Sequence, residues 1–417
     1  TGSASWTTTV KTSGFTAVAG EGYFVNTTGG AVSVNLPAGT AGAVVAFKDY
    51  LGTFDTNALT LVQNGSDKIG GSTVNATLET EGIAVTLVFV DSTQGWLVTD
   101  SGLESEAPTA QFVTATGGNS VVTCGNNKIH VFTSPGTFCV SNAGNPSGST
   151  TVDYLVVAGG GGSQDGGGGA GGFRISGGTA SGCYAVSPLG SSPSPVAALS
   201  VPVQGYPITV GAGGVGVNPP SAPVATKGSD SIFSTITSTG GGKADAGPGG
   251  SGAGKNGTNG TGGTGNDPSV SPPQGNPGGN SGPSSEAQGS GGGGAGGAGN
   301  SNNTPPAPGP LKGDGGEGSY VGIYDNASVG EPGPVSNVRY FAGGGGGGAS
   351  APGGYSPADG GIGGGGNGLA NSPGPGASPT PGPQCGSVNT GGGGGGAWFG
   401  TNGSGGSGIV IIRYKFQ

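Results

Sequence analysis

The chain has 417 residues, of which 8% are charged, and 21 acidic against 12 basic residues give a net charge of −9. No basic stripe is present, which excludes nucleic acid as an expected partner. The longest apolar run, Ile83–Val90, is far too short to cross a bilayer, so membrane insertion is not expected. The chain has no methionine, and we therefore expect a processed product or part of a longer polypeptide.

Residues 1–101 alternate short β-favouring runs with turn residues. Each run is rich in β-branched, apolar or aromatic residues and is bounded by Gly, Asn, Asp, Ser or Pro. The runs are Gly22–Asn26, Ala31–Leu36, Ala43–Phe47, Ala58–Val62, Ile83–Val90 and Trp96–Thr99. No useful length of this segment shows helical spacing of apolar residues. The sequence therefore predicts an antiparallel β module over 1–101, and an all-β fold for the chain.

Residues 102–157 are predicted to form a connector and a small β unit. The connector follows from the acidic stretch 100–107, and the strands are expected at Ala110–Ala115, Lys128–Phe132 and Thr151–Val157. The only histidine, His130, lies in the second of these strands. Strand alternation places it on the face opposite Ile129 and Val131, so we expect a solvated strand histidine and not a catalytic base.

Four cysteines fit no zinc spacing and leave three pairings open. Cys124 and Cys139 each end a short β-like run, and the two runs are about one hairpin apart. We expect a cross-strand disulfide between them, which would indicate an oxidising, extracellular setting. Two buried free thiols are the alternative. A bridge between Cys183 and Cys385 would close a very long loop and stays open.

Residues 158–417 form a glycine-rich domain that holds 83 of the 104 glycines. So few side chains cannot build an ordinary hydrophobic core. Glycine strands in polyproline-II geometry can instead pack shoulder to shoulder and bond through their backbones, which predicts polyglycine-II-like packing. Apolar strands bracket the domain at Tyr154–Ala158 and Gly408–Phe416, and we expect them to be adjacent in space.

Disorder is the usual alternative for such low-complexity sequence. Residues 158–245 still carry β-like runs, and residues 311–408 alternate glycine runs with aromatic pairs, so we expect order in both. Residues 246–310 contain almost only Gly, Pro, Ser and Asn and could form loops.

Patterns that resemble catalytic motifs arise from the glycine background. Gly211–Gly216 matches a dinucleotide-binding fingerprint, but the prolines that follow cannot form the helix that this site requires. Gly249–Lys255 nearly spells a phosphate loop and also lacks a helix. There are no paired carboxylates at a telling spacing, and one histidine cannot provide a two-histidine zinc site. We expect no catalytic residue, metal or cofactor.

Several strings of the chain resemble a known family. Trp6–Asn26, Val45–Tyr50 and Gly95–Asp100 look like the β module of tail-fibre proteins of marine tailed phages, cyanophages among them. Four further strings resemble the glycine-rich domain that often follows that module, namely Thr114–Gly118, Lys128–Thr133, Thr151–Gly160 and Gly405–Tyr414.

The resemblance implies an extracellular virion fibre that binds a host cell-surface receptor or glycan without catalysis. It also implies a homotrimer that contacts other tail or fibre proteins, and polyglycine-II bundles occur in receptor-binding adhesins of some phages. A cell-surface filament or matrix protein is the alternative function. Aromatic residues flanking the glycine runs either cap the ends of the bundle or face the receptor; the receptor-contact candidates are Tyr355, Tyr324, Tyr320 and Trp398.

Overall fold

A computed structural model provides the structure of the chain. It describes residues 4–104, 110–182, 184–191, 195–217, 224–257, 259–282, 288–302, 313–350, 357–371, 384–398 and 400–417. The chain divides into two compact units, Thr1–Thr109 and Ala110–Gln417. Nearly all regular structure in these described ranges is β, which confirms the predicted fold class. Within them, no helix is long and apolar enough to cross a membrane.

The N-terminal unit is built from short strands in two sheets. Its strands are β1 (Ser5–Lys11), β2 (Phe15–Thr16), β3 (Glu21–Val25), β4 (Val32–Asn35), β5 (Val44–Asp49), β6 (Leu59–Val62), β7 (Ala76–Leu78), β8 (Ile83–Phe89) and β9 (Trp96–Leu103). Sheet A has the order β1-β3-β5-β8-β9, and sheet B has the order β2-β4-β6-β7. All six predicted runs contain a strand.

The strand directions in this unit differ from the antiparallel expectation. The first six strands alternate between sheets A and B, so each sheet receives every second strand running the same way. Consequently β1, β3 and β5 pair in parallel, as do β2, β4 and β6, and only the later pairs are antiparallel. Side chains from both sheets meet in one apolar core that includes Phe47, Leu61 and Trp96.

The second unit combines two larger sheets with the glycine-rich segments. Its elements are β10 (Val113–Thr116), β11 (Ser120–Cys124), β12 (Asn127–Phe132), β13 (Gly136–Ala143), β14 (Thr151–Val157), β15 (Phe173–Ile175), α1 (Pro188–Ser191), β16 (Leu199–Ser200), β17 (Gly205–Thr209), β18 (Ser231–Phe233), β19 (Ile236–Ser238), β20 (Ser319–Val321), β21 (Arg339–Phe341), β22 (Ala349–Ser350), β23 (Ala370–Asn371) and β24 (Ile409–Lys415). Sheet C has the order β10-β13-β17-β18-β19, and sheet D has the order β11-β12-β24-β14-β15, with β16 beside β14.

Strands β14 and β24 are hydrogen-bonded neighbours at the centre of sheet D. They pair antiparallel from Asp153↔Arg413 to Val157↔Ile409, which confirms the predicted adjacency of the two apolar segments that bracket the glycine region. Residues 110–157, treated above as a separate small unit, share sheets with these later strands.

His130 is fully buried, so the expectation of a solvated histidine is wrong. It does lie on the face opposite Ile129 and Val131, but sheet D is covered on both faces by apolar cores. Its Nδ1 donates to the carbonyl of Gly117 over 2.7 Å, and its Nε2 lies 3.1 Å from the hydroxyl of Tyr414. Burial is the main cause that lowers the pKa of His130 below its ordinary value.

The expected bridge between Cys124 and Cys139 is absent, and both are exposed free thiols. Cys124 lies at the end of β11, whose partner is β12 in sheet D, whereas Cys139 lies on β13 in sheet C. The two residues are therefore not cross-strand neighbours. Cys385 is also an exposed free thiol, and Cys183 lies outside the described residues.

The glycine segments run extended outside the sheets and bond to several neighbours at once. In the segment 159–163, the first and fourth amides donate to residues 226–229, and the second and fifth donate to residues 403–406. The third donates to Gly169. Residues 167–172 repeat this pattern toward three segments, 290–293, 391–394 and 239–242. The direction of the amides thus repeats every third residue.

Glycine is required in this bundle because neighbouring backbones touch where a Cβ would lie. A Cβ on Gly161 would come within 2.0 Å of the carbonyl oxygen of Gly242, and one on Gly168 within 2.1 Å of that of Gly161. Real Cβ atoms do not approach so closely. Residues in 246–302, a stretch that could have formed loops, also contribute segments to this bundle.

Candidate receptor-binding end of the bundle

The bundle has two different ends. One end continues into the strands of sheets C and D and into β20 and β21. At the other end, which we call the loop end, the backbone amides of Gly348 and Ala397 donate to the carbonyls of Asp165 and Gln164. The amide of Val217 donates to the carbonyl of Ser163 at this end.

The strand ends that flank the longest connections meet at the loop end. Isolated β-bridges join Gln288 to Ala349, Leu369 to Ala397 and Gly260 to Ser281. The two residues of each bridge flank different connections. Described residues at this end flank five stretches that lie outside the described residues, namely 218–223, 283–287, 303–312, 351–356 and 372–383. Their sequences are rich in Pro, Ser and Gly, with Tyr355 as an aromatic member.

Charged side chains lie among these strand ends. Lys255 forms an ion pair with Asp245, and the amide oxygen of Asn256 accepts a 2.9 Å bond from the amide of Gly166. Burial, and then the charge of Asp245, raise the pKa of Asp165 to about 6. The loop end therefore carries two carboxylates and one ammonium. Asp245 and Lys255 are paired with each other, and the main-chain amides named above donate to oxygen atoms within the bundle.

Trp398 is the one predicted contact residue that the described part of the chain places at the loop end. It follows Ala397, whose amide donates both to the carbonyl of Gln164 and to Oδ1 of Asn402, at 3.1 Å and 2.7 Å. The side chain of Trp398 is half-buried. An exposed aromatic ring can stack on a sugar, and carboxylates and amides can bond sugar hydroxyls.

Tyr320 and Tyr324 lie at the opposite end of the bundle. The Tyr320 ring is 5.6 Å from that of Tyr340 across β20 and β21, and Tyr324 packs against the apolar core on the outer face of sheet D. This packing fits the capping alternative for these two residues. Tyr355 lies outside the described residues.

Sequence reasoning assigned none of Asp165, Asp245 and Lys255 to a binding site, and it named Lys255 only as the end of the phosphate-loop-like stretch Gly249–Lys255. Each is an isolated charged residue within a glycine segment, so no periodicity places it on a common surface. The nearest available signal was that acids and lysines are rare in residues 158–417. In the described residues, no group of three or more His, Cys, Asp or Glu side chains could hold a metal ion.

Residues 2–102 match the family model of the Bacteriophage T4 gp9/10-like protein N-terminal domain. This match indicates a structural protein of a phage virion, of the fibre or baseplate kind, that contacts other virion proteins. Residues 133–415 match the glycine-rich domain model, and the chain belongs to this glycine-rich domain family. No curated protein matches the chain.

Proposed function

We propose that the chain is the receptor-binding component of a phage fibre and that its loop end contacts the host cell surface without catalysis. The observation that carries the proposal is that the described residues flanking the long connections meet at the loop end. A rigid scaffold that presents connections at one end is a common arrangement for recognition.

The scaffold in this proposal is a polyglycine-II-like bundle. Its support is the three-residue repeat of amide direction, because polyproline-II geometry has three residues per turn and leaves the backbone free to bond outward. Such a core exposes little apolar surface and few long side chains. It suits a particle that works outside the cell.

We further propose a homotrimer located in the virion, with a polysaccharide or an outer-membrane component as the receptor. The strings that resemble tail-fibre proteins support the trimer. The polar loop end with Trp398 supports a glycan, because stacking and hydroxyl recognition need these groups. Trp398 and Tyr355 are the proposed aromatic contacts.

Adsorption of the purified chain to host cells tests the proposal, with intact cells and with cells stripped of surface polysaccharide. Trp398→Ala should lower adsorption about tenfold, the effect of losing one good aromatic contact. Trp6→Ala is the matched control, because Trp6 is an exposed tryptophan of the N-terminal unit.

Equal adsorption by wild type, Trp398→Ala and Tyr355→Ala would reject these contacts. If the purified chain adsorbed neither to intact cells nor to stripped cells, receptor binding would be rejected. Release of reducing sugars from purified host envelope would show catalysis and contradict the non-enzymatic part of the proposal.

A further inference from the structure

The two sheets of the N-terminal unit have unlike outward faces. In sheet B the outward positions are mostly polar: Ser33 and Asn35 on β4 and Thr77 on β7 are exposed, and Thr60 on β6 is half-buried. The half-buried Val62 on β6 is the apolar exception. The pattern of sheet B is the ordinary alternation of a sheet with one face in water. Sheet A should show the same alternation and does not.

Strand register identifies the outward residues of sheet A. Tyr23, Val45, Phe47, Val85 and Leu87 point into the core, so the residues between them point outward. The apolar outward residues are Phe24, Ala84, Val88 and Leu97, which are half-buried, and Val44 and Ala46, which are buried. Trp6 extends this face over Gly22, with its ring centroid 5.1 Å from that of Phe24. We call these residues, with Thr86 among them, the apolar face of sheet A.

A cleft of about 650 Å³ continues the apolar face at one end. Phe24 and Lys48 belong to both, and the exposed Tyr50 and Leu51 add apolar wall. Glu81 and Glu104 line the cleft as carboxylates. A long cationic side chain would find apolar contact for its stem and two carboxylates for its head.

The lysine in the cleft is already engaged. Its ammonium donates to the carbonyl of Gly82 over 2.6 Å and pairs with Glu104 over 2.7 Å. The carboxylate of Asp49 accepts the amides of Gly52, Thr53, Phe54 and Gly82, which fixes the loop that carries Tyr50 and Leu51. The cleft is thus a supported feature with excess negative charge.

The charge of this unit selects the type of occupant. Residues 1–109 contain ten acids and three lysines, so seven of the nine net negative charges lie in this unit. Asp100 is paired in register with Thr86 and adds a carboxylate beside the apolar face. A second copy docked face to face would bring these acids together, and like charges at an interface are unfavourable.

We propose that the apolar face and the cleft bind a different virion protein, one that presents an apolar strip and inserts a lysine or arginine side chain between Glu81 and Glu104. The half-buried side chains of this face and the exposed Trp6, Tyr50 and Leu51 together give an apolar surface rimmed by polar groups, which is typical of protein interfaces. The inference rests on the structural-protein class of the chain and not on receptor binding. Host-cell adsorption and particle attachment therefore test different units of the chain.

Thr86→Lys and Thr60→Lys form a matched pair for the experiment. Both threonines are half-buried outward residues of middle strands, the first on the apolar face and the second on the polar face of sheet B. Particles that lack the chain are prepared from phage with its gene deleted, and purified full chain is added. Sedimentation then measures the bound fraction.

We expect Thr86→Lys to lower particle binding at least about tenfold and Thr60→Lys to leave it unchanged. The double variant Glu81→Gln with Glu104→Gln should weaken binding and reduce its salt dependence, because the proposed contact is a charge pair. Melting curves verify that each variant is folded, and Val88→Ser repeats the test without an added charge.

Wild-type binding by folded Thr86→Lys and Val88→Ser would overturn the proposal. Self-association that Thr86→Lys abolishes, with particle binding intact, would show that a second copy occupies the face and would equally overturn it. Loss of particle binding with normal adsorption to host cells supports the docking proposal independently of the receptor proposal.

Discussion

The N-terminal unit and the glycine bundle of the second unit form a stable interior in opposite ways. The N-terminal unit packs large side chains, such as Phe47, Phe54 and Trp96, between two sheets. The glycine bundle packs backbone against backbone and has no room for a Cβ at most of its contacts. One interior is stabilised by apolar burial, and the other by hydrogen bonds between closely packed main chains.

The difference determines which substitutions each unit tolerates. A side-chain core loses stability when atoms are removed, because a cavity remains. A backbone core loses stability when even one carbon is added, because the neighbouring strand must move. We therefore expect large-to-small substitutions to be the more destabilising class in the N-terminal core, and glycine-to-alanine substitutions to be the more destabilising class in the glycine bundle.

The largest effect is expected from Gly168→Ala. The added Cβ would lie 2.1 Å from the carbonyl oxygen of Gly161. We expect a loss of at least about 3 kcal/mol in the free energy of unfolding of the second unit, or failure of that unit to fold. Gly297→Ala is the control, because its nearest neighbour would be 3.6 Å from the Cβ. Equal melting temperatures for the two variants would contradict a backbone core.

A loss of comparable size, confined to the other unit, is expected from Phe47→Ala. Phe47 is fully buried between sheets A and B, and its removal should cost about 3–5 kcal/mol. Tyr50→Ala, which removes an aromatic side chain that is 50% exposed, should change stability by less than about 0.5 kcal/mol. Hydrogen exchange resolves the two units, and destabilisation of the second unit by Phe47→Ala would argue against separate cores.

A smaller effect of opposite sign is expected from Asp165→Asn. The pKa of Asp165 is raised from 3.8 to about 6, so the charged form of this carboxyl opposes folding. The free energy of unfolding is therefore highest below the ordinary pKa and falls as the pH rises through 6. The substitution should stabilise the second unit by about 1–2 kcal/mol at pH 7.5, allowing for partial exposure. The gain should shrink at pH 4.5. A gain that is the same at both pH values would rule out titration of Asp165 as its cause.

The sequence was informative where a local pattern has a single structural meaning. Short β-favouring runs between turn residues gave six strands of the N-terminal unit. The apolar segments that bracket the glycine region proved to be paired, because two such strands next to a glycine region have few other partners.

Other features depend on partners that no local pattern specifies. Alternation placed His130 on the correct face of its strand but could not reveal that sheet C covers that face. Six strands that alternate between two sheets have the same spacing of apolar residues along the sequence as six strands of an antiparallel meander. The sequence could therefore not distinguish the two arrangements. Asp165 and Lys255 belong to different glycine segments, and only the packing of the bundle brings both to the loop end.

Main-chain hydrogen bonds that repeat every third residue hold the bundle together. The sequences of its connections can therefore change while the scaffold stays the same. Strand ends such as Gln288, Ala349 and Leu369 are positioned by main-chain contacts that no connecting sequence supplies. Each doubling of the length of a flexible connection costs only about 0.6 kcal/mol in closure entropy. Insertions, deletions and grafted peptides at the loop end are therefore compatible with an unchanged core.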